Sequence, residues 1–374
     1  MSQRARGQLV MGILAACLTR PVASQLGPDG ADTVARYHNR LIALPYAGYS
    51  PATGVQFGAA GGLQFKVGAG AADPRTRPSF LAGNVFATTK GQWGVAGGAD
   101  LFTVHSTTWV SVGADLGYFP VDYYGIGSAS RSGDRNRLES HVAGASLRVL
   151  RRVHGDLYLG PALSGAGWFG VSWEHPERIP PTLPGGRDAA NLGVGLTVLL
   201  EHRNSTTTPT RGHYFQLEYL RYLRALGGDF GYNRLLLDGR VYLPVWRRDV
   251  VALAAYAEFN GPAVPIQGMA QLGAISSQTI MRGVYLGRFR DRHSVVTQVD
   301  YRGHLSGRLG YVVFGAAGNV FGSTGSGLFD RVKLSYGGGL RFDVNPRDPL
   351  NIRVDYTLTS FGEAGVSIGA GEAF

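Results

Sequence analysis

The stretch NLGVGLTVLLEHR, residues 191–203, carries the decision about the fold. Leu192, Val194, Leu196, Val198 and Leu200 share one face of an extended chain, and Asn191, Gly193, Gly195, Thr197, Glu201 and Arg203 share the other. Successive side chains leave a strand on opposite sides, so this period of two marks a β-strand between two different surroundings. Residues 55–67 repeat it, with Val55, Phe57, Ala59, Leu63, Phe65 and Val67 opposite Gln56, Gly58, Ala60, Gly62, Gln64 and Lys66. Near the end, Ile352, Val354, Tyr356 and Leu358 alternate with Arg353, Asp355, Thr357 and Thr359. Leu334, Tyr336, Leu340 and Phe342 alternate in the same way with Lys333, Ser335, Arg341 and Asp343.

Working outward, fifteen such segments lie between residues 54 and 374, most of them ten or more residues long. Strands of soluble domains average about five or six residues, whereas tilted strands that cross a bilayer need about 9–11. Connections alternate between short, as at 152–155 and 246–248, and long, as at 120–137, 172–189 and 261–292. Short turns at one end and long loops at the other are the pattern of outer-membrane barrels. In such a barrel the apolar face meets lipid and the polar face lines the lumen, the inverse of a soluble barrel. Alternation alone leaves the two open; strand length, strand number and an export signal favour the membrane. Both chain ends on one side require an even number of strands, which predicts a missing strand within 33–48. The expected fold is all-β, a transmembrane antiparallel β-barrel of sixteen strands, with fourteen as the alternative and the long 261–292 loop folded into the lumen. Tyr118, Phe119, Tyr123 and Tyr124, near strand ends, are read either as an interfacial girdle or as loop packing.

Composition agrees. No apolar run in the 374 residues reaches the roughly 18 needed for a membrane helix. Hydrophobic residues at 44% are too many for a disordered chain. Glycine numbers 56, about twice the usual share, which suits close-packed, curved strands with few side chains between them. The net charge of +10 falls to +7 when Arg4, Arg6 and Arg20 are removed with a leader. The basic residues are scattered singly among acids, so no nucleic-acid partner is expected.

Residues 1–24 read as a signal peptide: Arg4 and Arg6, an apolar Leu9 to Leu18, and small Val22-Ala23-Ser24 before Gln25. Leu14-Ala15-Ala16-Cys17 offers lipidation at Cys17 as the other reading. Cys17 is the only cysteine, so no disulfide is expected beyond the leader. The expected organisation is a signal peptide at 1–24, a short periplasmic segment at 25–45 and the barrel at 46–374.

The last third carries a resemblance. Met281-Arg282-Gly283-Val284-Tyr285 is followed by Val299-Asp300-Tyr301-Arg302, Val313-Phe314, Gly338-Gly339-Leu340-Arg341-Phe342 and Ile352-Arg353-Val354-Asp355-Tyr356. Tyr46-Ala47-Gly48-Tyr49-Ser50-Pro51, Tyr123-Tyr124-Gly125-Ile126-Gly127 and Pro209-Thr210-Arg211-Gly212 precede them. This order resembles the C-terminal barrel of the Omp85 superfamily, the surface-antigen or BamA/TamA-like outer-membrane proteins, over about 46–374. The resemblance implies that the Arg-Gly loop folds into the lumen and that Arg282 pairs with Asp300 on the next strand. The family's second acid, in Phe-x-Asp-x-Gly, is replaced here by Ala316. Further lumen charges are expected at Glu201, Arg302, Arg341, Arg353 and Asp355. Ile368 and the terminal Phe374, expected on one face of the last strand, resemble the signal read by the barrel-assembly machinery, which makes that machinery an expected partner along with outer-membrane lipid. Between Gln25 and Tyr46 there is no room for the periplasmic POTRA modules of the family's assemblers, so a separate periplasmic partner is one expectation.

No catalytic constellation stands out. Gly365-Val366-Ser367-Ile368-Gly369 matches a nucleophile elbow only in letters, because it lies within an expected strand rather than on a sharp strand-to-helix turn. The nine histidines are spread singly. The expectation is no enzyme, no cofactor and no metal. Two functions remain. One is insertion or export of proteins or lipids at the outer membrane through a weak seam between first and last strands. The other is a passive structural barrel or narrow plugged pore.

Overall fold

The computed structural model describes residues 39–374 apart from 51, 67, 69–72, 74, 181–182, 276–277 and 345–350. The expected leader, with Cys17, lies outside the described residues. Sixteen long strands follow one another. They are β1 (Arg40–Ser50), β2 (Gly54–Phe65), β3 (Ser79–Thr88), β4 (Trp93–Phe102), β5 (Thr108–Tyr118) and β6 (Asn136–His154). Next come β7 (Leu157–Trp173), β8 (Ala189–Glu201), β9 (Gly212–Tyr222), β10 (Tyr232–Trp246) and β11 (Asp249–Asn260). The last five are β12 (His293–Ser306), β13 (Leu309–Phe321), β14 (Lys333–Asp343), β15 (Asn351–Thr359) and β16 (Ala364–Ala370). Each pairs antiparallel with its neighbours, and β1 closes on β16. A short strand at Val121–Tyr123 extends the sheet against β6.

The missing strand is β1. It begins at Arg40, so the barrel starts inside the stretch expected to be a periplasmic segment, 25–45, and not at Tyr46. Pro45 sits within it, opposite Ala59. Pro is tolerated at an edge where its missing N–H is not needed, and β1 is the strand at the seam.

Burial settles the polarity that alternation left open. Phe57, Val85, Leu196, Leu340 and Tyr356 are exposed, while Glu218, Arg234, Glu258, Asp300, Arg353 and Asp355 are buried. An apolar outside and a charged inside is the inverse of a soluble barrel and fits a lipid-facing wall. Leu199 departs from the expected faces: it points inward with Thr197 and Glu201 and packs on Leu150 and Tyr158. Gly195 shows why glycine is needed on the inner face. A Cβ there would collide with the Tyr219 carbonyl of the neighbouring strand.

The seam differs from the rest of the ring. β1 and β2 register along their whole length, from Arg40 opposite Gln64 to Ser50 opposite Gly54. Among the described residues β1 and β16 share one registered pair, Tyr49 with Ile368. The strand β16 is seven residues long and is followed by Gly371 at φ +76, a left-handed conformation that ends it. Phe119 and Tyr123 are buried under the luminal loop rather than standing at a lipid interface. The girdle reading of these two is thereby corrected to loop packing.

Candidate site: the luminal Arg-Gly loop and its charge cluster

Residues 261–292 leave β11 and fold inward. Ile266 N–H donates to the Pro184 carbonyl, and Gln267 Nε2 donates to the Arg187 carbonyl, which ties the loop to the β7–β8 connection. Ala270–Ile275 pairs antiparallel with Phe289–Asp291 and with Gln278–Ile280, a small sheet inside the barrel. Met281 (φ 73) and Gly283 (φ 78) turn the chain at the tip. Gly283 lies so close to β15 that an added Cβ would collide with the Thr357 side chain. Only glycine meets both demands there.

Each residue of the 281–285 motif has a separate task. Met281 and Val284 bury into an apolar cluster with Leu272, Phe289, Val296 and Val320, which fastens the tip to the β12–β13 wall. Tyr285 reaches the other way: its hydroxyl accepts a hydrogen bond from Asp122 N–H at 2.9 Å and its ring meets Tyr124 edge-on. Arg282 enters the charged wall. It bonds Asp300 through Nη2 and lies 3.4 Å from Asp355 through Nη1, with its guanidinium 3.7 Å above the Phe314 ring. All three charged groups are buried.

The expected partner Asp300 is therefore in place. The second acid comes from β15 rather than from position 316 on β13. Ala316 is paired with Gln298 and packs on the apolar cluster. Asp355 takes the part because the tip presses on β15 at Thr357, two residues along the same inner face. That face was legible; its contact with the loop was not.

Four arginines and three acids form one cluster. Arg302 lies 3.5 Å from Asp300 and 3.7 Å from Glu372. Arg341 bonds Asp355 at 2.6 Å and Glu372 at 3.0 Å. Arg353 lies 3.5 Å from Asp355. Pairing of this kind offsets the cost of burying the charges. Glu372 was missed as a site residue. It follows the Gly371 turn, points into the lumen and accepts from Asn351 Nδ2 at 2.7 Å. Burial alone would raise its pKa, but Arg341 and Arg302 outweigh that and hold it at about 2.

Glu201 is a lumen charge outside this cluster, paired with Arg203 at 2.5 Å at the end of β8. One expectation needs correction. Phe374 does not share the face of Ile368. Past Gly371 the chain turns inward, and Phe374 packs against Tyr242, Val250 and Ala252, with its carbonyl accepting from Arg302 Nη2 at 3.0 Å. Ser367 of the Gly-x-Ser-x-Gly stretch sits within β16, in an extended strand.

The Omp85 superfamily domain model matches residues 53–374. In three dimensions the chain is similar to BamA from Haemophilus ducreyi lacking POTRA domains 1-3, with TM-score 0.56 and 14% identity over 99% of this chain and 77% of that one. It is also similar to CdiB from Acinetobacter baumannii, with TM-score 0.54 and 10% identity over 89% of this chain and 60% of that one. CdiB from Escherichia coli gives 0.56 and 13% over 89% and 62%. No curated protein matches the sequence. With sixteen strands, a lipid-facing apolar surface and a family match over most of its length, this chain is an outer-membrane β-barrel and belongs to the Omp85 superfamily.

Proposed function

We propose that this barrel assists insertion or export of proteins or lipids at the outer membrane, by parting the seam between β1 and β16. The observation that carries the reading is the chain of charges from Arg282 through Asp355 and Arg341 to Glu372, just past the end of β16. A loop that holds Asp355 and a tail that holds Arg341 share one network, so displacing the loop loosens the residues that follow the seam strand. A client strand offered to β1 then competes with a single registered pair instead of a full ladder. A protein client and a separate periplasmic partner belong to this proposal.

The passive reading rests on a different observation. Val264, Met269, Tyr285 and Leu286 of the luminal loop are buried among Phe119, Trp168, Tyr222 and Tyr232. One experiment separates the two. Wild type and Arg282→Ala, each folded in liposomes, are given an unfolded outer-membrane barrel. Faster client folding that depends on Arg282 is the expected result. No acceleration, together with a conductance that rises when 268–290 are deleted, supports the plugged barrel instead.

A further inference from the structure

Arg282 has its carboxylates; Arg290, eight positions on in the same loop, has none. Arg290 is fully buried, and none of its three guanidinium nitrogens has a hydrogen-bond partner among the described residues. Gln271 is its cross-strand neighbour in the small luminal sheet. Both amide atoms of Gln271, also buried, are without a partner among the described residues. Cross-strand neighbours project from the same face of a sheet. The alternate residues Leu272 and Phe289 project from the other face, into the apolar cluster on the β12–β13 wall. Arg290 and Gln271 therefore face away from the wall.

They also converge. Both crowd Gly287: a Cβ added there would meet Arg290 Nη2 at 2.7 Å and Gln271 Oε1 at 3.0 Å. Gly287 has φ +80, so the absence of a side chain there is fixed by the backbone as well. The guanidinium lies over the Tyr123 ring at 5.0 Å. A ring covers the face of a guanidinium and leaves its in-plane N–H fork free for a planar or tetrahedral oxyanion. The neighbouring carboxylate, Asp291, is turned elsewhere, accepting from the backbone N–H of Arg292 and Ser323. A buried charge without a partner is a costly arrangement, and each such group in a folded protein calls for a reason.

We propose that Arg290 and Gln271, which meet beside Gly287, form an anion site inside the luminal loop that takes a single phosphate group. The phosphate is either free or carried on a lipid headgroup. The site lies between the 261–292 loop and the β5–β6 connection, which are joined by Gly127 N–H donating to the Arg290 carbonyl at 2.7 Å. Binding there adds a bridge between two loops and stabilises the plugged form.

The test uses the whole barrel folded in detergent. Wild type is titrated by calorimetry with inorganic phosphate, and separately with short-chain phosphatidic acid, against chloride at equal ionic strength. Saturable phosphate binding is expected, weakened roughly tenfold or more in Arg290→Met, because a charge-assisted pair is lost. Arg290→Met is also expected to unfold at a higher temperature than wild type in chloride, since it removes an unpaired buried charge. Response to inorganic phosphate identifies the free anion. Response to phosphatidic acid alone, lost in the variant, identifies a headgroup. Binding of neither by wild type overturns the proposal whether or not the variant folds, and so does binding that Arg290→Met leaves unchanged.

Discussion

Two charge clusters line the same lumen and do different work. On one wall, Arg148 of β6 bonds Glu218 of β9 at 2.7 Å, Arg234 of β10 stands 3.7 Å from Glu218, and Arg234 lies 3.3 Å from Glu258 of β11. Every member is on a strand, and the cluster braces strands that are already paired. On the other wall, Arg282 belongs to a loop and Glu372 to a tail, and the strands β12, β14 and β15 hold them. Identical chemistry stiffens a wall in the first case and latches separate segments in the second. The difference lies in what the charges are attached to, not in how many there are.

That contrast can be broken or sharpened by substitution. The largest effect is expected from Arg282→Ala, which removes the loop's share of the latch and costs about 3 kcal/mol, the range for breaking a buried pair. Denaturant unfolding in detergent measures it, and single-channel recording should show a noisier, larger conductance as the loop leaves the wall. Glu218→Gln is expected to cost roughly 2–3 kcal/mol of global stability. It leaves conductance unchanged, because Arg148, Arg234 and Thr197, which it holds, all belong to strands. A conductance change in Glu218→Gln equal to that of Arg282→Ala would erase the distinction.

Gly283→Ala follows, at about 1–2 kcal/mol, since it strains a positive φ and crowds Thr357. Its effect should vanish in an Arg282→Ala background if the glycine serves the latch, which a double-mutant cycle reads directly. The smallest effect is a pH dependence. The carboxyl of Glu372 is held at about 2, below its ordinary 4.5. A depressed folded-state pKa gives stability that is present above the ordinary value and lost as pH falls through the folded one. Wild type should therefore weaken between pH 4.5 and 2 more steeply than Glu372→Gln, followed by tryptophan fluorescence.

The sequence made the walls legible because lipid imposes period two on every strand, and Asp300 could be placed inward by that rule alone. Arg353, Asp355, Arg341 and Arg302 followed by the same counting. What period two does not encode is where a strand stops. Gly371 adopts a left-handed φ, and this one turn sends Glu372 and Phe374 into the lumen instead of along the face of Ile368. Nor does alternation say which inner residues meet: Glu201 faces the lumen as its position implies, yet its partner is Arg203 and not the charges around Arg282. The second acid for Arg282 depended on a loop tip landing on Thr357, a long-range event with no local pattern. Arg290 was invisible for a related reason: an unpaired arginine and a paired one look the same in a string of letters.

Across the seam, Tyr49 and Ile368 are the one registered pair among the described residues. Tyr49→Cys with Ile368→Cys places two thiols across it. Client folding in liposomes is then measured with the pair oxidised and again after reduction. Loss of acceleration when oxidised and its return on reduction are the result expected here. Equal acceleration in both states, with the disulfide verified, would contradict a function that works by parting β1 from β16.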